Sequence, residues 1–249
     1  MLDRITHGSL LEIRLARPPV NALNPELLKA LTGAFDPAAL RGVEGVVLSG
    51  GPKVFSGGLD VPHLMGLDRD GLTAAWAQFF AAARAIAHCP VPVAAAIAGH
   101  NPAGGCVLAL CCDYRIMARG PYRIGLNETQ VGLVVPDAIQ ALMRRVVGAH
   151  RAERLLVAGA MVEAEQALAY GLVDELTDVE HVSTRALHWL RELAALPRGA
   201  LLETRKIARA DVHAALDGFS DDELDGFIDH WFAPSTQAAL RALLAKLGK

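Results

Sequence analysis

Asn101-Pro102-Ala103-Gly104-Gly105-Cys106 leads into the apolar run Val107 to Cys112, and Asp113 then separates it from Tyr114-Arg115-Ile116-Met117-Ala118. The glycines after Pro102 mark a backbone stripped of side chains, the run that follows carries a helix, and Tyr114–Ala118 reads as a strand. Upstream, Val91–Ile97 is a second buried strand, broken by Gly99. One unit of strand, glycine-rich turn, helix and strand therefore sits in the middle of the chain. Working outward, Gly45–Ser49 is a short β-branched run stopped by Gly50-Gly51-Pro52, and Asp70–His88 has helical spacing that Cys89-Pro90 ends. Asn24, Pro25 and Glu26 read as N-cap, first helical position and acidic first turn of a helix to about Phe35. Ser9–Leu15 alternates like a half-buried strand. This order predicts an α/β layered fold.

From about Pro136 the pattern is nearly all helical. It predicts helices over Asp137–Val147, Arg151–Val157, Glu163–Ala169, Val179–Ala195, Ala200–Ala214, Asp221–Trp231 and Thr236–Leu247. A composition shift near Leu196-Pro197 divides the chain into a core, residues 1–196, and a C-terminal helical segment, residues 197–249. That segment is expected to pack on the core or on another subunit.

Composition narrows the function. Of 249 residues, 52% are hydrophobic, and the mean hydropathy is +0.29. A spanning helix needs about 20 consecutive apolar residues; the longest runs here, Val91–Ala98 and Gly104–Cys112, are far shorter. Twenty-four Lys and Arg against 27 Asp and Glu leave a net charge of −3, with no electrostatic footprint for nucleic acid or an anionic membrane. The start has neither signal-peptide nor transit-peptide character, so a cytoplasmic location is expected. Cys89, Cys106, Cys111 and Cys112 form no C-x-x-C pair and have no patterned histidines, so no metal site is expected.

Three segments depart from a packing pattern. Phe55-Ser56-Gly57-Gly58-Leu59-Asp60 places a glycine pair in a turn after a buried strand, either an ordinary turn or a close approach to a ligand. Gly104-Gly105 sits at a helix N-terminus, where free N–H groups suit a developing negative charge, or where small residues allow close packing. Gly125-Leu126-Asn127-Glu128 sets one carboxylate among aliphatic neighbours, a loop glutamate or a base with a raised pKa. Together they supply two donor sites and a base, the minimum for removing a proton next to a carbonyl. His100 reads as a loop residue, Asp60 as a brace for its turn, Trp189 and Trp231 as packing residues, and Arg205 and Lys206 as surface charges.

FSGGLD, PAGGC followed by CDYRIMA, and GLNETQVGLVVP resemble the crotonase (enoyl-CoA hydratase/isomerase) superfamily, with the likeness running from Arg17-Pro18-Pro19-Val20-Asn21-Ala22-Leu23 to the C-terminal helices. The resemblance implies a ββα spiral core with C-terminal helices that trimerise, giving a homotrimer or homohexamer. It implies an acyl-CoA thioester substrate and no separate cofactor, CoA being part of the substrate. Matched residue by residue, the oxyanion amides would come from Gly57 and Gly104. Ala22, Leu23, Gly58, Leu59 and Asp60 would line the thioester path. Hydratases of the superfamily carry a second glutamate three residues after the Gly104 position, and Val107 stands there. Glu128 alone remains, as in the mitochondrial-type Δ3,Δ2-enoyl-CoA isomerases. Asn127 would orient Glu128, and Val107 with Leu126 would keep the site dry. The alternatives in view are a hydratase or another acyl-CoA lyase or hydrolase of the superfamily, and a non-catalytic acyl-CoA-binding subunit.

Overall fold

A computed structural model describes residues 1–246. The chain opens with strands β1 (Leu2–His7) and β2 (Leu10–Leu15), helix α1 (Pro25–Ala34) and strand β3 (Gly45–Ser49). Helices α2 (Val61–Leu64) and α3 (Arg69–Ala87) lead to β4 (Val93–Ile97), β5 (Asn101–Pro102), α4 (Gly104–Leu110), β6 (Tyr114–Ala118) and β7 (Arg123–Gly125). Then come α5 (Asp137–Val147), α6 (Ala149–Ala158), β8 (Val162–Glu163), α7 (Ala164–Tyr170), β9 (Glu175–Thr177) and α8 (Val182–Ala194). Four helices end the chain: α9 (Arg198–Ala208), α10 (Ala210–Asp217), α11 (Asp221–Phe232) and α12 (Pro234–Lys246). The expected end of the last helix at Leu247 lies outside the described residues.

The main sheet has the order β1-β2-β3-β4-β6-β9, parallel except for the β1–β2 pair. Every residue of β3 and β4 is buried, as parallel strands covered on both faces require. On one face α8 packs Val182, Ala186, Leu187 and Leu190 against Val47, Ala94, Ala96 and Ile116. On the other lies the larger core, with α1, α3 and α4 contributing Leu27, Leu31, Phe79, Ile86 and Leu108. Ser9–Leu15 is therefore not the half-buried strand its alternation suggests. Glu12 is buried beneath α8, accepting a 2.7 Å hydrogen bond from Ser49 Oγ and lying 3.1 Å from His7 Nε2.

A second, three-stranded sheet, β5-β7-β8, stands apart from the first. The nearly all-helical stretch after Pro136 also holds the short strands β8 and β9, and Ala200–Ala214 is two helices that meet at Arg209, not one. Arg209 is buried there, with Nη2 donating to Cys111 O at 2.7 Å and Nη1 3.1 Å from Asp113 Oδ1. The side chain satisfies the carbonyls that end α4, and the chain breaks where it does so.

The C-terminal helices fold back on their own chain. Val212, Leu216, Leu224, Phe227, Ile228, Trp231 and Leu240 belong to the same buried cluster as the core. Trp231 is a packing residue, and Trp189 stacks on Tyr114 with ring centroids 4.6 Å apart. Arg205 is not a surface charge: it is largely buried and pairs with Asp113 at 2.8 Å. Lys206 is exposed.

Candidate active site

The predicted site segments converge where three pieces of chain meet. Leu23 pairs with Leu59 in an isolated parallel bridge. In it Leu23 N–H donates to Gly58 O (2.8 Å) and Asp60 N–H donates to Leu23 O (3.1 Å). A parallel bridge uses the groups on either side of the bridged residue, which leaves the Leu59 N–H pointing away from Leu23. It has no acceptor among the described residues. Gly104 opens α4, and its N–H also lacks an acceptor there. The two amides adjoin: a Cβ built on Gly104 would lie 3.5 Å from Leu59 N, and one built on Gly58 would lie 3.5 Å from Gly104 N.

This changes one assignment. The Gly57 N–H is already donated to Val20 O at 2.7 Å, so it is not free for an oxyanion. The free donor is two residues on, at Leu59, which the sequence placed only along the thioester path. Glycine at 57 and 58 has packing reasons instead. A Cβ on Gly57 would sit 3.2 Å from Val20, and Gly58 has φ +82° with its Cβ position 3.0 Å from Ala103 Cβ.

The backbone that turns the Gly104 amide outward is strained. Ala103 has φ 49° and ψ −125°, a conformation that costs of order 1–3 kcal/mol for a residue with a side chain. Its N–H donates to Gly125 O at 2.8 Å, tying this turn to β7, from which the chain runs on to Glu128. Glycine is needed at 105 because a Cβ there would lie 2.3 Å from Asn101 Oδ1 and 2.9 Å from Ser56 Cβ. Asn101 itself is fully buried, and neither atom of its carboxamide has a partner among the described residues, a feature the sequence did not signal.

Glu128 begins a four-residue 3-10 turn, Glu128–Val131, and is buried. Its Oε2 has no hydrogen-bond partner among the described residues. Burial raises its pKa from 4.5 to about 7, against the lowering effect of a hydrogen bond from its own backbone N–H. A carboxylate poised near neutrality in an apolar setting is equipped to take up and return a proton. Val107 and Leu126 are both buried in the apolar core, and no second carboxylate acts on Glu128. The Asn127 side chain makes no hydrogen bond to Glu128 among the described residues, and the turn itself aims the base. The Asn127 carbonyl accepts the Gln130 N–H at 3.1 Å, and Thr129 Oγ1 donates to Leu156 O at 2.8 Å.

Asp60 is the brace expected of it. One carboxylate oxygen caps α2 at His63 N (3.3 Å) and the other pairs with Arg17 at 2.6 Å. Arg17 also donates to Ala22 O at 2.9 Å, so it clasps both sides of the Leu23–Leu59 bridge. The local sequence around Arg17 carries no signal for this role, which depends on Asp60, 43 residues away. His100 lies on the loop side, its Nδ1 accepting from the Arg123 N–H at 3.1 Å.

A ββα core with two free amides side by side and a buried glutamate is the architecture of a crotonase-superfamily enzyme. Comparison with known proteins agrees. The family model described as enoyl-CoA hydratase/isomerase matches residues 6–241. Human mitochondrial enoyl-CoA delta isomerase 1 is 32% identical over 94% of this chain and 79% of its own length. A probable enoyl-CoA hydratase of Mycobacterium avium is 35% identical over 86% of this chain and 82% of its own. The crystal structure of the human mitochondrial Δ3,Δ2-enoyl-CoA isomerase superposes with a TM-score of 0.94 at 30% identity, covering 99% of this chain and 98% of that one. The chain belongs to the enoyl-CoA hydratase/isomerase family.

Proposed function

We propose that this enzyme moves the double bond of a 3-enoyl-CoA into conjugation, giving the 2-trans-enoyl-CoA. The observation that carries this reading is Glu128, a buried carboxylate held near neutral pKa with no second acid acting on it. The thioester oxygen lies on the Leu59 and Gly104 amides. Glu128 takes a proton from C2, and the charge of the dienolate gathers on the oxygen, where the two preorganised N–H groups stabilise it. The protonated Glu128 returns the proton to C4, which regenerates the carboxylate and leaves the product double bond between C2 and C3. Adding water instead would need a second group to hold and activate it, and Val107 offers an apolar side chain there.

Several relatives in the comparison carry the name of a probable hydratase, and hydration is the competing reading. The test is product analysis with 3-cis- and 3-trans-hexenoyl-CoA beside crotonyl-CoA. Conversion of the first two to 2-trans-hexenoyl-CoA with little hydration of the third is expected. Efficient hydration of crotonyl-CoA by the wild-type protein would overturn the reading. Binding of all three without turnover would make the chain a non-catalytic acyl-CoA-binding subunit.

A further inference from the structure

The Glu128 carboxylate makes no side-chain hydrogen bond that could aim it, with its Oε2 unpartnered. Its position is therefore set by the backbone turn that carries it. That turn closes at Gly132, which has φ 79°, with Gly132 N–H on Thr129 O (3.3 Å) and Leu133 N–H on Glu128 O (3.0 Å). Four residues of 3-10 geometry hold their shape poorly alone. The Gly132 carbonyl, left over at the end of the turn, takes two hydrogen bonds from residues about a hundred positions away. Thr236 Oγ1 donates to it at 3.1 Å, and His230 Nε2 lies 3.2 Å from it.

These two side chains come from different helices, His230 near the end of α11 and Thr236 at the start of α12, and they lie 3.3 Å from each other. Thr236 is buried. The arrangement that serves the carbonyl fully has the proton on Nε2. If the Thr236 hydroxyl donated to His230 Nε2 instead, neither would serve Gly132 O. With the proton on Nε2 both donate, and the two lone pairs of the carbonyl are filled. The approach is close enough to exclude a side chain, since a Cβ built on Gly132 would lie 2.8 Å from Ala239 Cβ of α12. Within the turn, Thr129 Oγ1 donates to Leu156 O of α6 at 2.8 Å. The turn is thus gripped at two points.

We infer that His230 and Thr236 are positioning residues that hold the Gly132 carbonyl and, through it, the turn that presents Glu128. This rests on the reading of Glu128 as the base. It makes seating of the C-terminal helix pair a condition for fast proton transfer. Misplacing a catalytic group by about 1 Å costs on the order of 10²-fold.

The test uses Thr236→Val, which keeps the side-chain shape and removes the hydroxyl, Thr236→Ser as the conservative rescue, and the double variant Thr236→Val/His230→Phe. Two readouts are taken on the full-length protein. The first is amide hydrogen exchange over residues 128–133 of the free enzyme, which needs no substrate. The second is kcat and KM with 3-trans-hexenoyl-CoA. Exchange is expected to quicken about tenfold or more in the double variant. Its kcat is expected to fall about 10–100-fold with KM within about twofold, and Thr236→Ser is expected to restore the rate. Unchanged exchange overturns the inference. So does faster exchange with wild-type kcat, which would leave the clamp without a part in turnover. If the double variant does not fold, Thr236→Val against Thr236→Ser decides by the same two readouts. A wild type that turns over no enoyl-CoA would instead sink the base assignment, and exchange would still report on the clamp.

Discussion

Glu128 is stabilised by protonation in the folded protein, and two measurements follow from that. As a base it must be ionised, so kcat/KM is expected to fall tenfold per pH unit below about 7, the pKa that burial gives it. Glu128→Gln is expected to lower turnover roughly 10²–10⁴-fold and to abolish that limb. Stability runs the other way. Between pH 4.5 and about 7 the folded chain keeps a proton that the unfolded chain has released, so unfolding free energy declines as pH rises through this window. A shift of this size corresponds to about 3 kcal/mol. Denaturant melts of wild type and Glu128→Gln should therefore diverge in favour of the variant from pH 5 to pH 8. Parallel curves would show that the carboxylate is not desolvated. The oxyanion assignment has its own residue-level test. Gly104→Ala puts a methyl 3.5 Å from the Leu59 amide and 3.1 Å from Leu23 Cδ1, and is expected to cost roughly 10²–10³-fold in kcat. Gly57→Ala meets only the half-exposed Val20, at a position whose amide is already engaged, and is expected to stay within about tenfold of wild type. Equal losses would return Gly57 to the oxyanion hole.

Among the elements, those with strong periodicity or clear punctuation were legible in the sequence. Gly45–Ser49, Tyr114–Ala118 and Asp137–Val147 have the predicted bounds, and Asn24 caps α1 by accepting the Leu27 N–H at 3.0 Å. The second sheet was not legible, because β5 and β8 have two residues each and β7 has three, too few for any period to show. Nor was the Leu59 amide, because which N–H is left free depends on a bridge to Leu23 that no local pattern encodes. The break between α9 and α10 carries no glycine or proline; its cause is tertiary. Arg205 and Arg209 reach across to one carboxylate, Asp113, which also accepts the Val93 N–H at 2.7 Å. Removing that carboxylate strands two largely buried guanidinium groups, for which a loss of about 3–5 kcal/mol is the usual scale. Asp113→Asn is expected to lower the urea midpoint by that energy divided by the slope, with the slope itself unchanged. A variant as stable as wild type would mean that the cluster is neutralised by other means.

For the molecule as a whole, α9 is the element that the single chain does not account for. It has 11 residues, and none of its apolar side chains is fully buried. A helix that short is marginal in water without a packed face. Ile207 is 69% exposed, and Leu196, just before the helix, is 50% exposed. Arg205, through Asp113 and Cys89 O, and Arg145, donating to Ala208 O at 3.0 Å, are what tie it to the core. α10, α11 and α12 bury apolar residues on the same chain, whereas α9 leaves Ile207 in solvent, as α6 leaves Val157. Light scattering on the purified protein is expected to give a trimer, three times the 26.4 kDa chain mass, or a multiple of it. Ile207→Asp discriminates further. On a solvent-exposed face such a change is worth no more than about 0.5 kcal/mol, whereas a charge placed in a buried interface costs several times that. Dissociation of the variant toward 26.4 kDa with its core still folded is the expected outcome. A monomeric wild type would leave α9 held by Arg205 and Arg145 and no apolar face.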